Sequence, residues 1–227
     1  MSGTGAVAPK HAVRATRSAG QRTRSKLLNA ASRLFKERGL ADVSIADIAA
    51  AADAFPSQIT YYFHAKEALF VEAACRDVLY LARGAEEAAS GAATPEAYTR
   101  ALVERVIHAD AIGFFIEAMT LARRRPELAS LIERTVQRLH QEGLRAYAGE
   151  MARRGWRSRR DPALTARRFW TIAIGVTIEG QAVGRSAEVM VADMLHLLEA
   201  EADAPLRLVA DDSDNDKSET TAAEKTP

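Results

Sequence analysis

The 227-residue sequence holds a single cysteine, Cys75. One thiol excludes an intramolecular disulfide framework and a structural zinc site built from cysteines. Long apolar runs are also missing. The longest uninterrupted ones stay under ten residues, against the ~20 that a bilayer-spanning helix needs. No apolar segment follows the basic N-terminus, which argues against a secretory signal. No stretch alternates apolar and polar residues as a half-buried strand would, and no internal repeat is present. The signatures of chemistry are absent in the same way: no Cys/His pair set by motif, no phosphate-cradling glycine loop, no H-E-x-x-H spacing. Catalytic residues, a cofactor and a metal site are therefore not expected, and an all-helical enzyme is the weakest of the available readings. A reducing, cytoplasmic setting is expected.

Acidic residues are missing from one region. Residues 1–36 contain no Asp or Glu but eight basic residues, Lys10, Arg14, Arg17, Arg22, Arg24, Lys26, Arg33 and Lys36. Residues 1–66 carry 10 basic against 4 acidic side chains, whereas residues 201–227 carry 3 against 8. The net charge of +1 thus averages a basic head, a neutral middle and an acidic tail. Such asymmetry points to an electrostatic partner for one end.

About 48% of residues are apolar, enough for a packed core. Their spacing is helical throughout. Leu27, Leu28, Ala31, Leu34 and Phe35 share one face of a helix expected from about Gln21 to Arg38, stopped by Gly39. Ser44 and Asp47 form an S-x-x-D capping box opening a short helix with Ile45, Ile48, Ala49 and Ala52 inward. Pro56 suits the first turn of another short helix, with Ile59, Tyr62 and Phe63 inward. A long helix follows from Lys66 to about Ala89. Further helices are expected over 95–110, 112–124, 127–154, 162–184 and 186–201. Residues 1–19 read as a flexible basic arm, 20–66 as one domain, 67–202 as a second helical domain, and 203–227 as a disordered acidic tail.

Two short helices around a tight turn, braced by a preceding helix, make a helix-turn-helix. Its second helix leaves Ser57, Gln58, Thr60 and Tyr61 facing outward, side chains suited to base edges and phosphates in the major groove. The arm from Lys10 to Lys26, Arg22 and Arg24 included, is either a solvated tail or an extension along the DNA backbone or minor groove.

Ser44-Ile45-Ala46-Asp47-Ile48-Ala49, Tyr61-Tyr62-Phe63, Lys66-Glu67 and Leu69-Phe70 resemble the DNA-binding domain of the TetR/AcrR family of transcriptional regulators. The match covers about residues 22–70 and departs at Asp53 (usually Gly), Phe55 (usually a Ser or Thr cap) and Thr60 (usually aromatic). The resemblance implies an all-α fold, with an N-terminal three-helix DNA-binding domain and a larger C-terminal ligand-binding and dimerisation domain. It implies phosphate contacts from Ser44, Tyr61, Tyr62 and Lys66, and base contacts from Ser57, Gln58 and Thr60. Gln58 is the best direct reader, since an amide can pair bidentately with adenine. Tyr62 has the alternative of packing under Phe63.

In the second domain, apolar residues wrap almost fully around the helix holding Phe169 to Ile178, which means burial on more than one side. Ile174, Ile178, Gly180, Gly184, Met190, Met194 and Leu198 are the candidate dimer contacts, against the alternative of an ordinary monomer core. The resemblance makes the same two helices a four-helix dimer interface. It also implies an internal effector cavity, with Phe114, Phe115, Glu117, Met119, Thr120, Trp170, Thr171 and Glu179 as candidate walls. Glu179 is read in preference as paired with an arginine, His108 as a satisfied surface histidine and Cys75 as buried. Arg153, Arg154, Arg157, Arg159 and Arg160 read as solvated. The expected function is a homodimeric regulator of a palindromic operator on double-stranded DNA, a repressor released by a hydrophobic or amphipathic small molecule, with no membrane partner. An activator, or a regulator without a ligand, is the alternative.

Overall fold

The computed structural model describes residues 10–158 and 160–199, and among these every regular element is helical. Nine α-helices follow one another: α1 Lys10–Arg38, α2 Ile45–Ala51, α3 Pro56–Phe63, α4 Lys66–Ala89, α5 Pro95–Ile107, α6 Asp110–Arg124, α7 Ala129–Arg154, α8 Pro162–Ala182 and α9 Ala187–Glu199. The all-α class and the order of segments match the sequence reading. One boundary differs most. α1 begins at Lys10, so residues 10–19, read as a flexible arm, are helical. That stretch is rich in Ala and Arg, strong helix formers, but has no apolar stripe, so periodicity could not reveal it. Residues 1–9 and the acidic tail 203–227 lie outside the described residues.

The helix ends follow local chemistry. Gly39 closes α1 at φ +78°. The Thr94 hydroxyl accepts from Ala97 N–H, and the Asp161 carboxylate from Leu164 N–H at 2.9 Å. At the end of α8, Arg185 N–H reaches Gly180 O at 2.8 Å across a left-handed Gly184 at φ +70°, a Schellman closure.

α4 runs through the centre. It packs against α1 and α3 on one side and α5, α6 and α7 on the other. Leu69, Phe70, Val71, Ala74, Val78, Leu81 and Ala85 are all buried along it, so head and body share one apolar core. Three rings mark the join. Phe70 stands edge-on to Phe35 of α1 at 5.0 Å and to Phe114 of α6 at 4.9 Å, a geometry that favours aromatic pairs. Polar contacts line the α1–α4 seam: Lys36 pairs with Asp77 at 3.1 Å, Arg76 donates to Asn29 at 2.8 Å, and Ser32 donates to Asp77. Cys75 is buried on α4, and burial pushes its thiol up to about 11, so it is unreactive at neutral pH.

Candidate nucleic-acid interface and effector cavity

The reading head is built from its caps. Ser44 Oγ accepts from Asp47 N–H at 3.0 Å, and Asp47 Oδ2 accepts from Ser44 N–H at 2.9 Å. The Ser44 amide is the main reason the Asp47 carboxyl titrates below its ordinary value, helped by the Ser44 hydroxyl and by Arg38 at 3.3 Å. The turn between α2 and α3 places Asp53 at φ +51°, a conformation that aspartate tolerates better than most residues. Ile48, Ala49, Ala52, Ile59 and Phe63 are buried and lock α2 to α3.

The outer face of α3 presents Ser57, Thr60 and Tyr61, all exposed, with Tyr61 at 76%. Tyr62 is half-buried, edge-on to Tyr61 at 4.9 Å and to Phe63 at 6.2 Å. Its hydroxyl faces Gly20 of α1, where an added Cβ would lie 3.2 Å away. Packing thus accounts for much of Tyr62.

Four expected contacts are already engaged. The Ser44 amide and hydroxyl both donate to Asp47 Oδ2, at 2.9 and 2.8 Å. The Lys66 ammonium donates to Leu40 O and Val43 O, each at 2.8 Å, holding the loop before α2 rather than facing outward. Gln58 is half-buried, and its Oε1 accepts Phe55 N–H at 2.9 Å. Arg24 pairs with Glu72 and lies 5.0 Å from the Phe63 ring centre.

In the body, α4, α5, α7, α8 and α9 line a cavity of about 190 Å³ that is partly open to solvent. Small residues open it: Ala82 and Ala85 of α4, Gly143 and Ala146 of α7, and Ala166 of α8. A Cβ on Gly143 would stand 3.6 Å from Trp170 Nε1, so bulk there is limited by the α7–α8 approach. Tyr98, Tyr147, Phe169 and Trp170 supply aromatic walls, with Glu86, Arg160 and Arg168 as charged groups. Burial pushes the Tyr98 hydroxyl up to about 12 and raises the Glu86 carboxyl above its usual range.

Of the eight expected wall residues, Trp170 alone lines this cavity. Phe114 and Phe115 are buried core, Met119 is half-buried, and Glu117, Thr120 and Thr171 are exposed. The Thr120 and Thr171 hydroxyls bond back to their own helices, at Ile116 O and Arg167 O. Glu179 pairs with Arg185 at 2.9 Å near the surface, and His108 bonds Glu104 O at 2.8 Å. Both follow the structural readings. Glu86, Tyr98, Tyr147 and Phe169 were missed. The available signal was Gly143 within α7 and Ala82 and Ala85 before Glu86, small residues at helix crossings.

The candidate dimer residues divide. Gly180, Met190 and Met194 are buried within the chain. A Cβ on Gly180 would come within 2.6 Å of Met190 Cγ, so this glycine admits α9 against α8 of the same protomer. Leu198 lines the cavity, Ile174 is half-buried, and Gly184 serves the turn. Ile178 is 50% exposed, and Val183 at the end of α8 and Val189 and Leu197 on α9 are exposed as well. The arginines at the end of α7 and in the connection to α8 are not all solvated. Arg154 donates to Ala92 O and Ser90 O and lies 4.8 Å from the Trp156 ring centre, while Arg160 donates to Leu198 O. Arg159 lies outside the described residues. No described helix is long and apolar enough to cross a membrane.

Comparison with known proteins fits this geometry. The family model for bacterial regulatory proteins of the TetR family matches residues 27–73, and that for a bacterial transcriptional repressor C-terminal domain matches residues 95–199. The chain is similar to the crystal structure of a protein from Rhodococcus sp. RHA1 assigned as a transcriptional regulator. The two are 38% identical with a TM-score of 0.70, over 79% of this chain and 97% of that one. The fatty acid degradation regulator FadR of Bacillus halodurans shares the fold at 15% identity and a TM-score of 0.59, over 81% and 97%. So does a regulator from Saccharomonospora viridis in complex with choline, at 22% identity and 0.60, over 78% and 96%. No curated protein matches the chain. Nine helices in this order, a capped helix-turn-helix and both family matches lead to one conclusion: the chain belongs to the TetR family of DNA-binding transcriptional regulators.

Proposed function

We propose that the chain is a cytoplasmic repressor that binds a palindromic operator as a homodimer and leaves it when a small molecule enters the body cavity. The observation that carries this reading is the course of α4. The same helix contributes Ala82, Ala85 and Glu86 to the cavity wall and packs its first turns against α1 and α3 of the head. An effector that favours one placement of α4 shifts the head, and two heads must fit successive major grooves together. An effector that bound both placements equally would shift nothing. The choline complex of the similar regulator supports small-molecule entry into this fold.

On DNA, α3 lies in the major groove with Ser57 and Thr60 toward base edges and Tyr61 toward a phosphate. Gln58 keeps Oε1 on its own helix cap and offers its amide nitrogen. The dimer forms through the exposed face of α8 and α9. Along α8 this face runs through Thr171, Gly175, Ile178 and Ala182, and along α9 through Val189, Ala192 and His196, all exposed at helical spacing. Small residues on such a stripe let helices of two copies approach closely.

A mobility-shift assay with the DNA flanking the chain's own gene tests the reading. A discrete complex that Tyr61→Ala weakens on every sequence is expected. Binding without sequence preference at moderate salt would sink it.

A further inference from the structure

The cavity holds charged groups of both signs, and they differ in what they already do. Arg160 donates to Leu198 O at 2.9 Å and Arg168 to Leu197 O. Both carbonyls belong to the last turn of α9, where positive charge complements the helix dipole. These arginines are therefore structural groups of that helix end. Glu86 is different. It makes no hydrogen bond or ion pair with any described residue. The opposite charges that act on it are Arg145 and Arg83, and Arg83 stands 3.9 Å from Glu142, which also takes Arg138 at 2.7 Å. Burial, then the like charge of Glu142, raise the Glu86 carboxyl, so its ionised form is under-compensated. Tyr98, Tyr147, Phe169 and Trp170 line the same cavity, and aromatic ring faces attract cations.

We infer that the cavity takes an organic cation, an amine or quaternary ammonium on an aromatic or short apolar body, with Glu86 as its counter-charge. This rests on the reading of the cavity as the effector site. A cation there gains the carboxylate and the aromatic faces together, both in a partly desolvated setting where each is worth more than in water. An anion of the same shape meets the Glu86 carboxylate, while each arginine already donates to a carbonyl of α9. Size agrees: an apolar cavity of ~150 Å³ holds a benzene, so about 190 Å³ admits a ring with a small charged head.

The test is calorimetric titration of the full-length chain with benzyltrimethylammonium, phenethylammonium, 2-phenylethanol and phenylacetate, repeated on Glu86→Gln. The two cations are expected to bind at least tenfold more tightly than 2-phenylethanol, and phenylacetate most weakly. Glu86→Gln should abolish that tenfold preference and leave 2-phenylethanol binding unchanged, which shows the cavity intact. Phenylacetate binding as well as the cations, cation affinity indifferent to Glu86→Gln, or no binding by any of the four overturns the inference. A mobility shift with benzyltrimethylammonium separates the two readings. Glu86-dependent binding without operator release upholds the cation site and removes the effector role.

Discussion

The Gln58 side chain caps the helix it stands on, its Oε1 accepting the Phe55 backbone N–H at 2.9 Å while Gln58 N–H returns to Phe55 O at 2.9 Å. Phenylalanine has no acceptor of its own, so the reciprocal half of a capping box carries this helix start. Gln58→Ala should therefore lower the stability of the reading head by about 0.5–1 kcal/mol as well as alter base reading. Adding Phe55→Ser, a normal cap at a position 74% exposed, should restore the midpoint of urea unfolding without restoring the operator preference. Recovery of both together would mean that Gln58 reads no base.

Lys66 makes the second prediction. With its ammonium on Leu40 O and Val43 O, Lys66→Met leaves two loop carbonyls without their donor. The expected loss is about 1.5–3 kcal/mol, the range for hydrogen bonds to charged groups. The salt dependence of operator binding should keep its slope. A slope reduced by about one unit at unchanged stability would return Lys66 to the phosphates.

On α8 and α9 the prediction is a contrast. Ile178→Asp, at an exposed position, should leave the fold intact and convert dimer to monomer in sedimentation velocity. Met194→Asp, at a fully buried one, should unfold the chain, since an unpaired buried charge is not tolerated. A dimer that survives Ile178→Asp would place the interface elsewhere.

The cap of α2 should titrate. A carboxylate whose folded pKa is depressed adds stability above its unfolded value, and that stability is lost as pH falls through the folded one. Asp47 is depressed chiefly by the Ser44 amide, so its contribution is whole at pH 7 and fades below about pH 4. Thermal unfolding of Asp47→Asn should show a shallower decline over that acidic range than the parent protein. Parallel curves would mean that the cap does not depend on the charge.

The head was legible in the sequence because its rules are local. Ser44 and Asp47 sit three residues apart, Pro56 opens α3, and Gly39 ends α1, each acting within one turn of itself. Apolar period then told the buried side from the exposed one at Ile59 and Phe63. Local rules could not say what long side chains reach. Lys66 finds carbonyls 23 and 26 residues away, and Arg24 finds Glu72 across the α1–α4 seam. On α8, apolar almost all round, no period separates the side facing α9 from the side facing solvent. Only packing places Gly180 against Met190 and leaves Ile178 outside. The cavity is the extreme case, its walls drawn from residues 82 to 198. Caps, breakers and apolar spacing act over a few residues, so an all-helical chain with a capped, basic reading head can be read from the residues alone. Which polar groups are engaged, which apolar face is left open and where the body is hollow depend on helices far apart in the chain meeting at small residues, and so emerge only when the chain packs.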